Sequence, residues 1–151
     1  MKSSLLALLL VLFAVGCQDA SKEQKYILPK GFTGTAITVY EQDSFPSLPI
    51  ENGMVVHRYP VDGILFTSSS GQYGAWHRQK IEFEDTTDAN IPTELKSSSG
   101  SIEREGVRML YSLKVFGEGT HLEGVPPEEY KPALDKAFFR VQNRMGANQS
   151  Q

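Results

Sequence analysis

Val107-Arg108-Met109-Leu110-Tyr111-Ser112-Leu113-Lys114-Val115-Phe116 is the stretch that decides the fold class. Val107, Met109, Tyr111, Leu113 and Val115 form one apolar row, while Arg108, Ser112 and Lys114 fall on the other side. That period of two is a strand with one core face and one face at least partly in water. Upstream, Thr35 to Tyr40 repeats the device with Ile37 and Val39 on one face and Thr38 opposite. Asn52-Gly53 before Met54 to Tyr59, and Asp62-Gly63 before Ile64 to Thr67, are turn signals because these residues tolerate positive φ. Turns so close together leave no room for a crossover helix, so the spacing predicts short antiparallel strands.

Lys80 to Glu84 alternates charged residues with Ile81 and Phe83. Ser68 to Gly71 and the polar segment Asp85 to Gly106, with its Ser97-Ser98-Ser99-Gly100-Ser101 cluster, read as surface loops. Pro46 and Pro49 break the chain where Phe45, Leu48 and Ile50 can cover a core from a loop. After Pro126-Pro127 the period changes: Tyr130, Leu134, Phe138 and Val141 recur at helical spacing, with Asp135, Lys136 and Arg140 pointing elsewhere. Glu128 and Glu129 suit the positive start of a helix, Lys136, Arg140 and Arg144 its negative end, and Gly146 a C-cap, so a helix is predicted over about 127–144. The expected fold is mainly β, a small antiparallel β-sandwich or meander with one C-terminal α-helix, in a single domain over 26–146 with a disordered tail at 147–151.

The 151 residues are 40% hydrophobic and 22% charged, values of one globular domain rather than a collagenous, disordered or multi-spanning chain. A net charge of -3 provides no basic face for nucleic acid, and a single cysteine excludes an internal disulfide or a zinc site of several thiolates. Lys2 precedes an unbroken apolar run of 11 residues, Leu5 to Val15. A membrane span needs about 20 residues, so the run reads as the core of a signal peptide covering 1–16.

The sole cysteine follows directly, and Phe13-Ala14-Val15-Gly16-Cys17 resembles the lipobox of bacterial lipoproteins, with Ala14 where leucine is usual. The resemblance implies cleavage before Cys17, a diacylglyceryl thioether on its sulfur and further acylation, of the palmitate kind, on its new amino group. Gln18, rather than an aspartate, then implies the outer membrane in a diderm envelope and the outer face of the plasma membrane otherwise. Residues 17–25 are polar, lack apolar periodicity and read as a lipidated tether.

Tyr26-Ile27-Leu28-Pro29-Lys30-Gly31-Phe32-Thr33-Gly34 resembles the opening of a family of uncharacterised bacterial lipoprotein domains. The likeness continues through Leu48-Pro49, Glu51-Asn52-Gly53, Tyr59-Pro60-Val61-Asp62-Gly63-Ile64-Leu65-Phe66-Thr67 and Tyr73-Gly74 ahead of Trp76, over about residues 26–84. It implies a secreted β-rich module of unknown function and carries over no catalytic residues.

His57, His77 and His121 are widely separated and form no ligand pair of known spacing, and no Gly-x-Ser-x-Gly elbow occurs. His57 alternates with Val56 and shares a face with Val55 and Tyr59, a structural or surface position. Glu82 and Glu84 share a strand face, and with Asp85 and Asp88 form an acidic edge lacking the bending glycine of a calcium loop. No metal or cofactor is expected beyond the covalent lipid on Cys17. Tyr73, Trp76, His77 and Arg78 are the candidate ligand-binding cluster, because aromatic faces beside hydrogen-bond donors suit a sugar or peptide; the bland alternative is that the rings plug one end of the core.

The sequence therefore leads to a lipid-anchored, extracytoplasmic, non-catalytic module that binds an envelope protein or small ligand or has a structural role, without nucleic-acid partners. A small envelope hydrolase or metal-dependent enzyme is one alternative. An accessory subunit of an envelope complex is the other, motivated by Phe139, which stands off the buried helical stripe.

Overall fold

The computed structural model describes residues 22–71, 78–84, 93–117 and 126–148. Its strands are β1 (Gln24–Leu28), β2 (Gly34–Tyr40), β3 (Ile50–Glu51), β4 (Met54–Arg58), β5 (Ile64–Phe66), β6 (Gln79–Phe83), β7 (Thr93–Arg104) and β8 (Val107–Gly117), followed by helix α1 (Pro127–Asn148). The alternating stretch of β8 sits inside a four-stranded sheet of order β5-β2-β8-β7, and a second sheet has the order β3-β4-β1-β6.

The apolar row of β8 does face a core. Val107, Met109, Leu113 and Val115 pack with Ile37, Val39, Ile64 and Phe66 of the same sheet against Leu134, Ala137, Phe138 and Val141 of α1. The helical stripe is thus the one expected, and α1 closes one face of the β8 sheet. The opposite face of that sheet is covered by the β1 sheet: Ala36 and Phe116 meet Tyr26, Leu28 and Tyr59 in a second core. The described residues form three layers, sheet on sheet on helix, and on the polar side of β8 Ser112 and Lys114 lie between the sheets, Lys114 only 3% exposed, while Arg108 stays in water.

The fold is mainly β with one C-terminal helix, as expected, but both sheets are mixed. Asn52 and Gly53, with φ of 51° and 82°, make the predicted antiparallel hairpin between β3 and β4. Asp62-Gly63 makes a turn but no hairpin, for it carries the chain from β4 in one sheet to β5 in the other. β1 is parallel to β4 and β6, and β2 is parallel to β5. The chain passes from one layer to the other between paired strands, so these parallel pairs are connected through the opposite sheet and need no crossover helix. Spacing alone could not distinguish this from a meander. Gly63 is required at the crossing: its φ is +72°, and a Cβ there would lie 2.6 Å from the Thr35 carbonyl oxygen.

The largest departure is β7. The serine cluster expected to be a loop belongs to a twelve-residue edge strand paired along β8. Serine is an indifferent strand former, but β8 offers a full row of backbone donors and acceptors, and this pairing satisfies them. Glu105 and Gly106, with φ of 52° and 74°, close the hairpin in the geometry of a tight primed turn. A bulge between Glu94 and Lys96 then sends two nearby charges to opposite faces. Glu94 turns toward the β1 sheet and pairs with Lys114, whereas Lys96 reaches Tyr130 on α1, with its ammonium 4.2 Å from the ring centre.

Three boundaries also move. β1 takes in Gln24 and Lys25, two residues expected to belong to a tether over 17–25. The helix continues to Asn148, so Gly146 is helical and not a cap, and 147–148 are not part of a tail. Lys136 and Arg140 are consequently mid-helix, where they pair with Asp62 at 3.7 and 2.6 Å. Partial desolvation pulls the Asp62 carboxyl up, but the Arg140 hydrogen bond, the Ile64 N–H and Lys136 outweigh it, leaving it below its ordinary value of 3.8. A depressed folded value means the contribution is complete above the ordinary carboxyl range and fades as pH falls through the folded value. Asp62→Asn is therefore expected to cost about 0.5 to 1 kcal/mol at neutral pH, discounted for exposure, and nothing at pH about 2. Urea melts of both chains across that range test it; parallel curves with a constant gap would contradict the assignment.

Candidate functional site

The two sheets meet tightly at one end and part at the other. At the closed end Phe116, Leu28 and Ala36 fill the space, with Phe32 edge-on to Phe116 at 6.4 Å between ring centres. Moving along β2 and β8 away from that end, the inward positions become Thr38, Tyr40, Lys114 and Ser112, and a cleft of about 430 Å³ opens. That volume lies in the range of small-molecule sites. Gln24 and Tyr26 from β1, Val55 and His57 from β4, and Gln79 from β6 form the facing wall. Loops complete the rim: Thr67 donates to the Pro46 carbonyl at 2.9 Å, and the Leu48 N–H donates to Ser69 Oγ at 2.9 Å, holding Leu48 and Ser69 at the mouth.

His57 anchors the floor. It is 1% exposed and is placed by register, since Tyr26 lies beside it on β1 and the rings stack with centres 4.8 Å apart. The Gln24 amide donates to the Lys22 carbonyl at 3.4 Å, which leaves Gln24 Oε1 to accept from His57 Nε2–H at 2.6 Å. His57 Nδ1 is then the acceptor for the Thr38 hydroxyl at 3.1 Å, and Thr38 in turn accepts from Tyr59 at 2.9 Å. One ring nitrogen donates and the other accepts, the wiring of a neutral imidazole. The run spans both sheets and satisfies polar groups that would otherwise be costly to bury. The structural role expected for His57 is the one observed.

Lys114 forms the second polar centre. Its ammonium donates to Gln79 Oε1 at 2.7 Å, Glu94 Oε2 at 2.8 Å and Ser97 Oγ at 3.1 Å, and lies 4.6 Å from the Tyr26 ring centre. Burial pushes the Lys114 amine below its usual value, while Glu94 holds it up. Desolvation raises the phenols of Tyr26, Tyr40 and Tyr59 above their usual value of 10, so all three are neutral hydroxyls, Tyr26 and Tyr40 on the cleft and Tyr59 in the core behind it. Tyr40 and Ser112 share a hydrogen bond of 2.9 Å.

Of the sequence-predicted site residues, Tyr73, Trp76 and His77 lie outside the described residues, as do Cys17, His121, Asp85 and Asp88. Arg78 is described; it is exposed, stands 3.7 Å from Glu23 and does not line the cleft. The described part of the acidic edge is ion-paired: Glu82 is held by Lys25 at 2.8 Å and also by Lys80, and Glu84 by Arg58 at 3.2 Å. The Lys25 and Lys80 hydrogen bonds outweigh desolvation and keep the Glu82 carboxyl below its usual range. Among the described residues no three His, Cys, Asp or Glu side chains gather around a point that could hold a metal ion. Ile50, expected to cover a core, is 56% exposed at the cleft mouth. Phe139 is 61% exposed on α1.

Sequence reasoning missed Gln24, Tyr40, Gln79, Ser112 and Lys114 as site residues. For Tyr40, Ser112 and Lys114 the signal was the recurrence of polar groups opposite an apolar row in β2 and β8, which also describes an ordinary wet face; Gln24 and Gln79 stand on the short strands β1 and β6, outside that pattern.

The geometry defines a class of protein before any comparison: a two-sheet β domain with a polar inter-sheet cleft, backed by a helix. The family of unknown function DUF6843 matches residues 20–80, which contain β1 to β5 and the start of β6. This lies almost wholly within the stretch that carries the resemblance noted above. A crystal structure at 2.75 Å of a Bacillus anthracis protein, described as a putative lipoprotein, is similar in fold. The TM-score is 0.60 at 19% identity, covering 82% of this chain and 96% of that one. No curated protein sequence matches the chain.

Proposed function

We propose that this chain is a lipid-anchored lipoprotein of the bacterial cell envelope whose two-sheet domain is a non-catalytic binding module, with the inter-sheet cleft as its site. The observation that carries the reading is Cys17, the sole cysteine, standing directly after Ala14-Val15-Gly16 at the end of an 11-residue apolar run. The fold shared with the Bacillus anthracis protein so described supports it. Two or three acyl chains, at about 0.8 kcal/mol per buried methylene, hold a protein on a membrane without a transmembrane helix. Among the described residues no helix is long and apolar enough to cross one.

The anchor also bears on where the cleft stands. Lys22 lines the cleft and is five residues beyond Cys17. At no more than about 3.6 Å per residue, a lipidated Cys17 keeps the cleft rim within roughly 18 Å of the membrane surface. Gln18 favours the outer membrane where one exists and the outer face of the plasma membrane otherwise. The test is mass spectrometry of the protein purified from membranes of its native host, beside Cys17→Ser. Mature protein beginning at Cys17 with added acyl mass, absent from the variant, is expected; an unmodified soluble chain would overturn the proposal.

A further inference from the structure

The lining chemistry of the cleft selects among ligand classes. Its two cations among the described residues are Lys22 at the rim and Lys114 within. The three N–H groups of Lys114 are already directed at Gln79, Glu94 and Ser97, and the Glu94 carboxylate stands beside it. An anion entering here would meet an ammonium already neutralised and a carboxylate close by. Much of the remaining polar lining is neutral and hydroxyl-rich, with Ser69 and Ser70 from the loop after β5, Ser97 and Ser99 from β7, and Ser112 and Tyr40 from the sheet floor. A hydroxyl donates and accepts at once, which matches a ligand whose own groups do the same. Leu48, Ile50 and Val55 form an apolar strip on the same cleft.

We infer that the cleft binds a neutral saccharide, whose C–H face lies on the Leu48–Ile50–Val55 strip and whose hydroxyls meet the serines of β7 and the β5 loop. The inference rests on the reading of the domain as a binding module. A volume of about 430 Å³ accommodates one or two sugar rings within the usual range of ligand sites. β7 supplies two of those serines, which gives the run Ser97-Ser98-Ser99 a use beyond pairing: a bulkier edge would fill the cleft. The source is either a free saccharide or the headgroup of a glycolipid in the adjoining membrane, both of which present the same hydroxyls.

The experiment uses the full chain in a zwitterionic, sugar-free detergent and ligand-observed NMR with calorimetry. The probes are cellobiose, maltose and chitobiose at up to about 20 mM, with citrate and inorganic phosphate as the anionic counterparts. Vesicles of phosphatidylcholine with and without digalactosyldiacylglycerol distinguish the membrane source from the free one. At least one neutral probe is expected to bind, with affinity reduced about tenfold or more by Ser99→Trp, which places an indole in the cleft from an exposed edge position. Ser70→Trp on the rim loop serves if Ser99→Trp fails to fold, as judged by its melting midpoint. Binding of citrate or phosphate alone, blocked by the same variant, would overturn the saccharide assignment and leave the binding module standing. Saccharide binding indifferent to both variants would place it elsewhere and overturn the assignment. Failure of every probe would overturn the assignment and the cleft as a binding site together.

Discussion

Replacing Lys114 with methionine is expected to lower the unfolding free energy by about 3 kcal/mol, although the aliphatic stem is nearly conserved. The loss comes from what is left behind: the Glu94 carboxylate, only 16% exposed, and the Gln79 and Ser97 oxygens lose N–H donors that even the uncharged amine would in part supply. Removing one partner of a buried pair is costly for this reason, whereas removing both is far milder. Lys114→Met with Glu94→Gln is therefore expected to recover about half of the loss or more. The pH dependence has a definite sign. The folded value of the amine is depressed, so folding is penalised while the unfolded chain binds the extra proton, and stability rises as pH climbs from the folded value toward the ordinary 10.5. Lys114→Met should lack that alkaline rise. Urea titrations of the two variants between neutral and alkaline pH measure both effects, and a single-variant loss below about 1 kcal/mol would show that the pair is solvated.

Phe116→Ala is expected to cost about 3 to 5 kcal/mol. Phe116 is 1% exposed and is the largest fully buried side chain among the described residues; it joins Tyr26, Leu28, Ala36 and Tyr59 where the two sheets are clamped. Truncation leaves a cavity that flanking strands from two different sheets cannot easily collapse into, so both the transfer and the cavity contributions apply. Phe116→Leu, which keeps most of the volume, is expected to cost about 1 to 1.5 kcal/mol. The same truncation frees the closed end of the sandwich, so amide exchange along β1 should accelerate more than along the α1-facing side of β8. Denaturant unfolding with hydrogen exchange measures this; a loss under about 1.5 kcal/mol would mean that Phe116 does not hold the sheets together.

The layers differ in how they could be read. The core between β8 and α1 was visible because each element carries its own complete pattern: Val107 to Val115 at period two, and Leu134 to Val141 at period 3.6. The core between the sheets carries weaker patterns. β1 and β6 are five residues each and β3 only two, and between the sheets Thr38, His57 and Lys114 take the place of apolar residues at positions no more than 3% exposed. A lysine opposite an apolar row reads as solvent-facing until a second sheet is laid over it. β7 was hidden for a related reason, since its strand state comes from the backbone of β8 rather than from its own serines.

Local chemistry was enough for the Asn52-Gly53 hairpin, the β8 row and the amphipathic helix, because each depends on residues close together along the chain. The parallel pairings, the bulge that separates Glu94 from Lys96, the burial of Lys114 and the cleft itself depend on which sheet covers which face. That is settled by contacts between residues such as Gln24 and His57, or Gln79 and Lys114, 33 and 35 positions apart. Spacing within a strand says which residues share a face, and only the packing of one layer on another says whether that face meets water, a ligand or protein.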